Sequence, residues 1–213
     1  MLFKRKKDSF ETGVSLTING IDKGHHKTTY RGVSCKKSPF DYVIYQMILE
    51  EVKPDLIIEI GTFVGGSAFY LADLLELHGK GEIHTIDVED RIDERVKAHK
   101  RIKFFSKGWV NYDLRLIKDF RTVLVIDDGS HNFQDTLQAM IKFSTIVSPN
   151  SYLIVEDGII DELGLTREYD GGPVKAIKKF LEMNKSFEIA YNWTDFFGKN
   201  ATFNTIGYLK RIS

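Results

Sequence analysis

From residue 39 onward, apolar positions follow two alternating periods. In residues 39–52, PFDYVIYQMILEEV, apolar side chains recur three and four apart, which predicts a helix with Pro39 in its first turn. Residues 55–60, DLIIEI, form a nearly continuous apolar run, the pattern of a strand buried on both faces. The same reading predicts strands at 82–87, 101–106, 121–127 and 151–156, and helices at 67–78, 90–99, 109–117, 131–146 and 173–184. A loop fills 157–172, and two more strands are predicted at 186–192 and 203–211. Strands that alternate with helices pair in parallel and carry helices on both faces, so the expected fold is a doubly wound α/β sheet.

Composition narrows this picture. A chain of 213 residues, 42% hydrophobic and 28% charged, is one ordinary globular domain. Its single cysteine, Cys35, excludes an intrachain disulfide and a thiolate zinc cage. No apolar run approaches the roughly 20 residues of a membrane helix, and no apolar stretch follows the basic start, so a cytoplasmic location is expected. Net charge is zero, but residues 1–37 hold nine Lys/Arg against three Asp/Glu. With Gly13, Gly20, Gly24 and Gly32 breaking any period, residues 1–37 are expected to be a basic, irregular, solvated arm ahead of a domain at 38–213. His25 and His26 are read as loop residues. Trp109, Tyr191, Trp193, Phe196 and Phe197 are read as core or rim, too sparsely interleaved with basic residues for a nucleic-acid platform.

Ligands of parallel sheets bind outside the carboxyl ends of the strands. The first strand ends in Glu59-Ile60-Gly61-Thr62-Phe63-Val64-Gly65-Gly66-Ser67. Glycines let backbone approach a ligand, and the following helix offers free N–H groups. The turn lacks the lysine of a nucleoside-triphosphate loop and the Gly-x-Gly-x-x-Gly spacing of a dinucleotide site. Glu59 suits a cationic or amino group. Asp87 ends the second strand, where an acid can hold ribose hydroxyls; the alternative is a helix cap. The fourth strand ends in Asp127-Asp128-Gly129-Ser130-His131 and the fifth in Glu156-Asp157-Gly158. Neighbouring strand ends lie about 5 Å apart, so four carboxylates there call for protons or a hard cation, Mg²⁺ or Ca²⁺. His131 is a candidate base. Taken one at a time, these acids also read as caps or solvated surface.

Glu59-Ile60-Gly61-Thr62 with Gly65-Gly66-Ser67 resembles the first motif of class I S-adenosylmethionine-dependent methyltransferases. Over about residues 30–213 the chain is most similar to the cephalosporin hydroxylase/rhamnosyl O-methyltransferase family. The resemblance rests on Tyr30-Arg31-Gly32 with Pro39 and Asp41, on Pro54 to Glu59, and on Val147 to Asp157, with Asn150 in place of glycine. Gly172-Pro173 to Phe180-Leu181 and Gly207 to Ile212 add to it, while Tyr30 stands where the family usually has tryptophan. It implies a Rossmann-like sheet of seven mostly parallel strands with the last antiparallel. It also implies S-adenosylmethionine as cofactor, contacted by Glu59, Gly61, Thr62, Gly65, Gly66, Ser67, Asp87, Val88, Ser106 and Asp127. Phe105-Ser106-Lys107 replaces the usual Gly-Asp-Ser, a departure at the adenine contact.

Asp127 to His131 is similar to the acidic motif of metal-dependent macrolide-sugar O-methyltransferases. This implies Mg²⁺ on Asp128, Glu156 and Asp157, with His131 and Asp128 catalytic and Asp127 the alternative ligand. The implied activity is methylation of a hydroxyl on a saccharide or small natural product. Self-association is common among such enzymes. A non-catalytic cofactor-binding accessory or RNA-binding protein is the alternative. Oxygenation is disfavoured by a strand-end cluster of four acids and one histidine.

Overall fold

The strands that read as apolar on both faces occupy the centre of one sheet. A computed structural model describes residues 16–213. Its elements begin with α1 (Ile18–His25), the hairpin β1 (Thr29–Tyr30) and β2 (Val33–Ser34), and α2 (Pro39–Val52). The alternating unit follows: β3 (Leu56–Ile60), α3 (Gly66–His78), β4 (Glu82–Ile86), α4 (Glu94–Lys97), β5 (Ile102–Phe105), β6 (Val123–Asp127), α5 (Phe133–Phe143) and β7 (Tyr152–Val155). The chain closes with α6 (Gly172–Met183), β8 (Phe187–Ile189), α7 (Tyr191–Thr194) and β9 (Tyr208–Arg211).

The seven-stranded sheet has the order β5-β4-β3-β6-β7-β9-β8. β3 to β7 pair in parallel, and β9, the last strand, is antiparallel to both neighbours, as expected. The chain order reverses between β3 and β6, the switch point where ligands bind. Alternate residues of the central strands serve opposite faces. Ile57, Leu124 and Ile154 pack with Ile44, Ile48 and Leu71 of α2 and α3. Ile58, Val125 and Leu153 pack with Met140 and Phe143 of α5 and Ile177 and Phe180 of α6. Each such side chain contributes about 1.5–3 kcal/mol of burial free energy.

Several predicted elements are shorter than expected. The 90–99 helix is reduced to α4, capped by Asp93, and 109–117 splits into two 3₁₀ turns. α5 starts at Phe133 because Asn132 caps it, accepting from the Gln134 N–H. The strand predicted at 203–211 begins only at Tyr208. Ahead of it the chain wraps around buried Asp41, which accepts bonds from the Thr202 hydroxyl, the Phe203 N–H (3.2 Å) and the Tyr208 hydroxyl (3.1 Å).

Residues 16–37, expected to be irregular, carry α1 and the β1–β2 hairpin; residues 1–15 lie outside the described part. Thr17 caps α1 by accepting from the Gly20 N–H at 3.0 Å. The hairpin docks on α3, where Tyr30 and Arg31 both bind Asp73. Gly66 permits that docking: a Cβ there would stand 2.0 Å from the Ser34 carbonyl oxygen. Among the described residues, no helix is long and apolar enough to cross a membrane.

Candidate active site

β3 and β6 end side by side, and the backbone between them leaves no room for a side chain. Gly61 has φ +94°, and a Cβ on it would meet the Asp128 carbonyl oxygen at 1.9 Å. The Asp128 N–H donates to the Ile60 carbonyl at 2.8 Å. Beyond Gly61 the chain turns into the N-terminus of α3. Beneath the turn, fully buried Glu59 accepts from the Thr85 hydroxyl at 2.6 Å, and its Oε1 has no partner. Burial pushes its pKa up to about 6. At the end of β4, Asp87 accepts from the N–H groups of Phe63 (2.8 Å), Val88 (2.7 Å) and Glu89 (3.2 Å). A carboxylate offers about four lone-pair positions, so Asp87 can still take a hydroxyl.

A cavity of about 750 Å³ opens over these strand ends. Of the sequence-predicted residues, Gly61, Thr62, Gly66, Ser67, Asp87, Val88, Asp128, His131 and Asp157 line it. Glu59, Gly65, Ser106, Asp127 and Glu156 do not. Lys107, Gly108 and Trp109 form the wall where Ser106 was expected. Asp127 is buried below, with one oxygen accepting from the Gly129 N–H at 3.3 Å and the other unpartnered. Burial raises its pKa to about 7.

Glu156 has a partner that sequence reasoning did not single out. The Lys37 ammonium lies 2.6 Å from both of its oxygens and 2.8 Å from Asp128 Oδ2, and the Tyr45 hydroxyl donates to Oε1 at 2.6 Å. Lys37 is 5% exposed and Glu156 3%. The two carboxylates hold Lys37 charged, well above the usual lysine range, against its burial. Burial and the neighbouring Asp128 push the Glu156 pKa well above the usual carboxylate range, against the bonds from Lys37 and Tyr45 that favour its ionised form. Sequence offered one hint: Lys37 falls within the 30–41 stretch that carries part of the family resemblance.

On the cavity side, His131 Nε2 stands 3.3 Å from Asp157 Oδ2 and 3.8 Å from Asp128 Oδ1. Each of the three offers one donor atom, all within 4.8 Å of one another. His131 and Asp157 both hold left-handed backbone, φ +56° and +57°. A non-glycine residue there is strained by about 1–3 kcal/mol, and such strain clusters at functional sites. Asp128 and Asp157 therefore suit a hard cation facing the cavity, whereas Glu156 is already committed to Lys37 and Tyr45. The glycine turn, with Asp87 at its rim and an orphaned acid behind it, suits S-adenosylmethionine. Tyr169, His25 and His26 also line the cavity. They lie in segments read as loop.

Seven strands with β9 inserted antiparallel, a glycine turn before α3 and an acid at the end of β4 define the class I S-adenosylmethionine-dependent methyltransferase arrangement. The family model described as Rhamnosyl O-methyltransferase/CmcI matches residues 23–212, and the chain belongs to that family. A rhamnosyl O-methyltransferase of Mycobacterium tuberculosis is 31% identical over 162 residues, covering 72% of this chain and 66% of that protein. The one from Mycobacterium leprae is 27% identical over 160 residues, covering 72% and 70%. Among solved structures, CmcI with magnesium and S-adenosylmethionine superposes with a TM-score of 0.67 at 21% identity, covering 88% of this chain and 78% of that one. The O-methyltransferase TomG of Streptomyces achromogenes gives 0.55 at 16% identity, covering 92% and 89%.

Proposed function

We propose that the chain methylates a hydroxyl of a saccharide-type acceptor, with S-adenosylmethionine as donor and Mg²⁺ as the accompanying cation. One observation carries this reading: a single cavity joins the glycine turn and Asp87 to Asp128, His131 and Asp157. The donor supplies an electrophilic methyl carbon on its sulfonium, and Mg²⁺ would polarise the acceptor oxygen. Gly61 to Ser67 give the donor a wall free of side-chain bulk, and Asp87 accepts from its ribose. Asp128 and Asp157 would hold the cation. His131 takes the hydroxyl proton on Nε2, and Asp157, 3.3 Å away, faces the charge the ring acquires. Lys37 fixes Asp128 and Glu156 beneath the site. Holding donor and acceptor in line supplies several kcal/mol of the barrier reduction. The names of the mycobacterial relatives favour a deoxysugar hydroxyl.

Calorimetry with S-adenosylmethionine, followed by transfer assays on sugar acceptors, tests the proposal. Asp87→Ala should abolish donor binding. His131→Ala should nearly abolish transfer with donor affinity unchanged, and a chelator should depress transfer. A wild-type chain that binds no donor would overturn the reading. Equal loss of donor affinity in His131→Ala would remove its role as base.

A further inference from the structure

A second cluster of metal-binding side chains stands on α1. Asp22, His25 and His26 occupy helical positions i, i+3 and i+4, the two spacings that flank one residue on a helix face. Adjacent histidines, which diverge on most elements, thus converge on one carboxylate. His25 Nδ1 lies 3.6 Å and His26 Nε2 3.7 Å from Asp22 Oδ1, and the three donor atoms fall within 4.8 Å of one another.

We propose that Asp22, His25 and His26 bind a transition-metal dication of the zinc class. Ligands about 2.0–2.1 Å from a tetrahedral zinc stand about 3.4 Å apart, so the separations to Asp22 need to close by only a few tenths of an ångström. A second, independent observation points to a ligand: the His25 side chain is 9% exposed, and its Nδ1 is buried with no hydrogen-bond partner. A buried polar atom left unpaired is destabilising, and a metal bond would satisfy it. Imidazole donors favour zinc, nickel or copper ions, whereas the Asp128–Asp157 site offers mostly oxygen and favours Mg²⁺. Three protein ligands leave the fourth tetrahedral position to water, and both imidazoles belong to the lining of the 750 Å³ cavity. The alternative role for His25 is packing, its ring meeting Phe203 edge-on at 5.0 Å. The inference does not depend on the proposed methyl transfer.

The test is a Zn²⁺ titration of the metal-stripped full chain against a chromophoric chelator, with Co²⁺ absorption reporting coordination. The expected result is one equivalent of Zn²⁺ that excess Mg²⁺ does not displace, with the visible bands of four-coordinate Co²⁺. Affinity should fall about tenfold or more in His26→Ala and Asp22→Asn and hold in Asp128→Asn. The His26 side chain is 56% exposed, so its removal leaves the fold intact, and an unchanged melting temperature checks this. No Zn²⁺ binding by the wild-type chain would overturn the site. So would binding kept in His26→Ala but lost in Asp128→Asn.

Discussion

Replacing Lys37 with methionine keeps the bulk of the side chain and deletes the ammonium that bridges Asp128 and Glu156. That ammonium sits 2.6 Å from Glu156 and 2.8 Å from Asp128, and Lys37 and Glu156 are both buried. Removing one partner of a buried ion pair costs about 3–5 kcal/mol, because the remaining charge is left unpaired. In a chain of this length 1 kcal/mol moves the melting point by about 2–4 °C, so Lys37→Met should melt roughly 6–20 °C lower at pH 8. The loss should depend on pH. Burial and Asp128 already raise the Glu156 pKa above its unfolded value, and losing Lys37 raises it further. The folded protein then binds more protons than the unfolded chain between those two values, so stability falls as pH rises through that window. The deficit should therefore be smaller at pH 6 than at pH 8. Calorimetric melts at both pH values provide the assay. The double variant Lys37→Met/Glu156→Gln should recover much of the loss, since no unpaired carboxylate stays on Glu156. Melting of Lys37→Met within about 2 °C of wild type at pH 8 would refute the reasoning.

Three further outcomes are expected. Asp127→Asn removes a carboxylate whose pKa burial has raised to about 7; wild-type stability should fall as pH rises from about 4 to 7, and urea midpoints of the variant should flatten part of that slope. Tyr45→Phe deletes the 2.6 Å bond to Glu156 and should cost about 1–3 kcal/mol in urea unfolding; an unchanged midpoint would mean the bond adds nothing net. Gly61→Ala puts a Cβ 1.9 Å from the Asp128 carbonyl oxygen at φ +94°, so it should lose more than about 1 kcal/mol of stability and its donor binding, both read by calorimetry.

The strand ends were legible because chemistry interrupts an apolar run there. Glu59, Asp127 and Glu156 close or punctuate buried strands, and Asp87 follows one, so periodicity located them and the parallel-sheet rule gave them a common edge. Their environments were not legible. Lys37 meets Asp128 and Glu156 across 91 and 119 residues, and nothing in a local window marks a lysine as buried. α1 was missed because Gly20 and Gly24 lower helix propensity, while the Thr17 cap acts through a single hydrogen bond. The strand predicted at 203–211 was too long because Asp41, more than 160 residues upstream, binds the Thr202 hydroxyl and the Phe203 N–H.

Carboxylates of one chemical type meet different fates along a single sheet edge, and burial decides which can do chemistry. Glu59 and Asp127 lie below the cavity floor, each with one unpartnered oxygen, and burial pushes both towards the neutral form. Glu156 is tied to Lys37 and Tyr45 and serves the framework. Only Asp128 and Asp157 face the cavity and His131 together. Asp128 also touches Lys37, so it links the buried charge to the cavity wall. An acid left free of the buried pair can meet a cation or the charge an imidazole gains, whereas one locked below the floor cannot, so exposure rather than chemical type separates the acids suited to the proposed transfer from those that hold the sheet edge together.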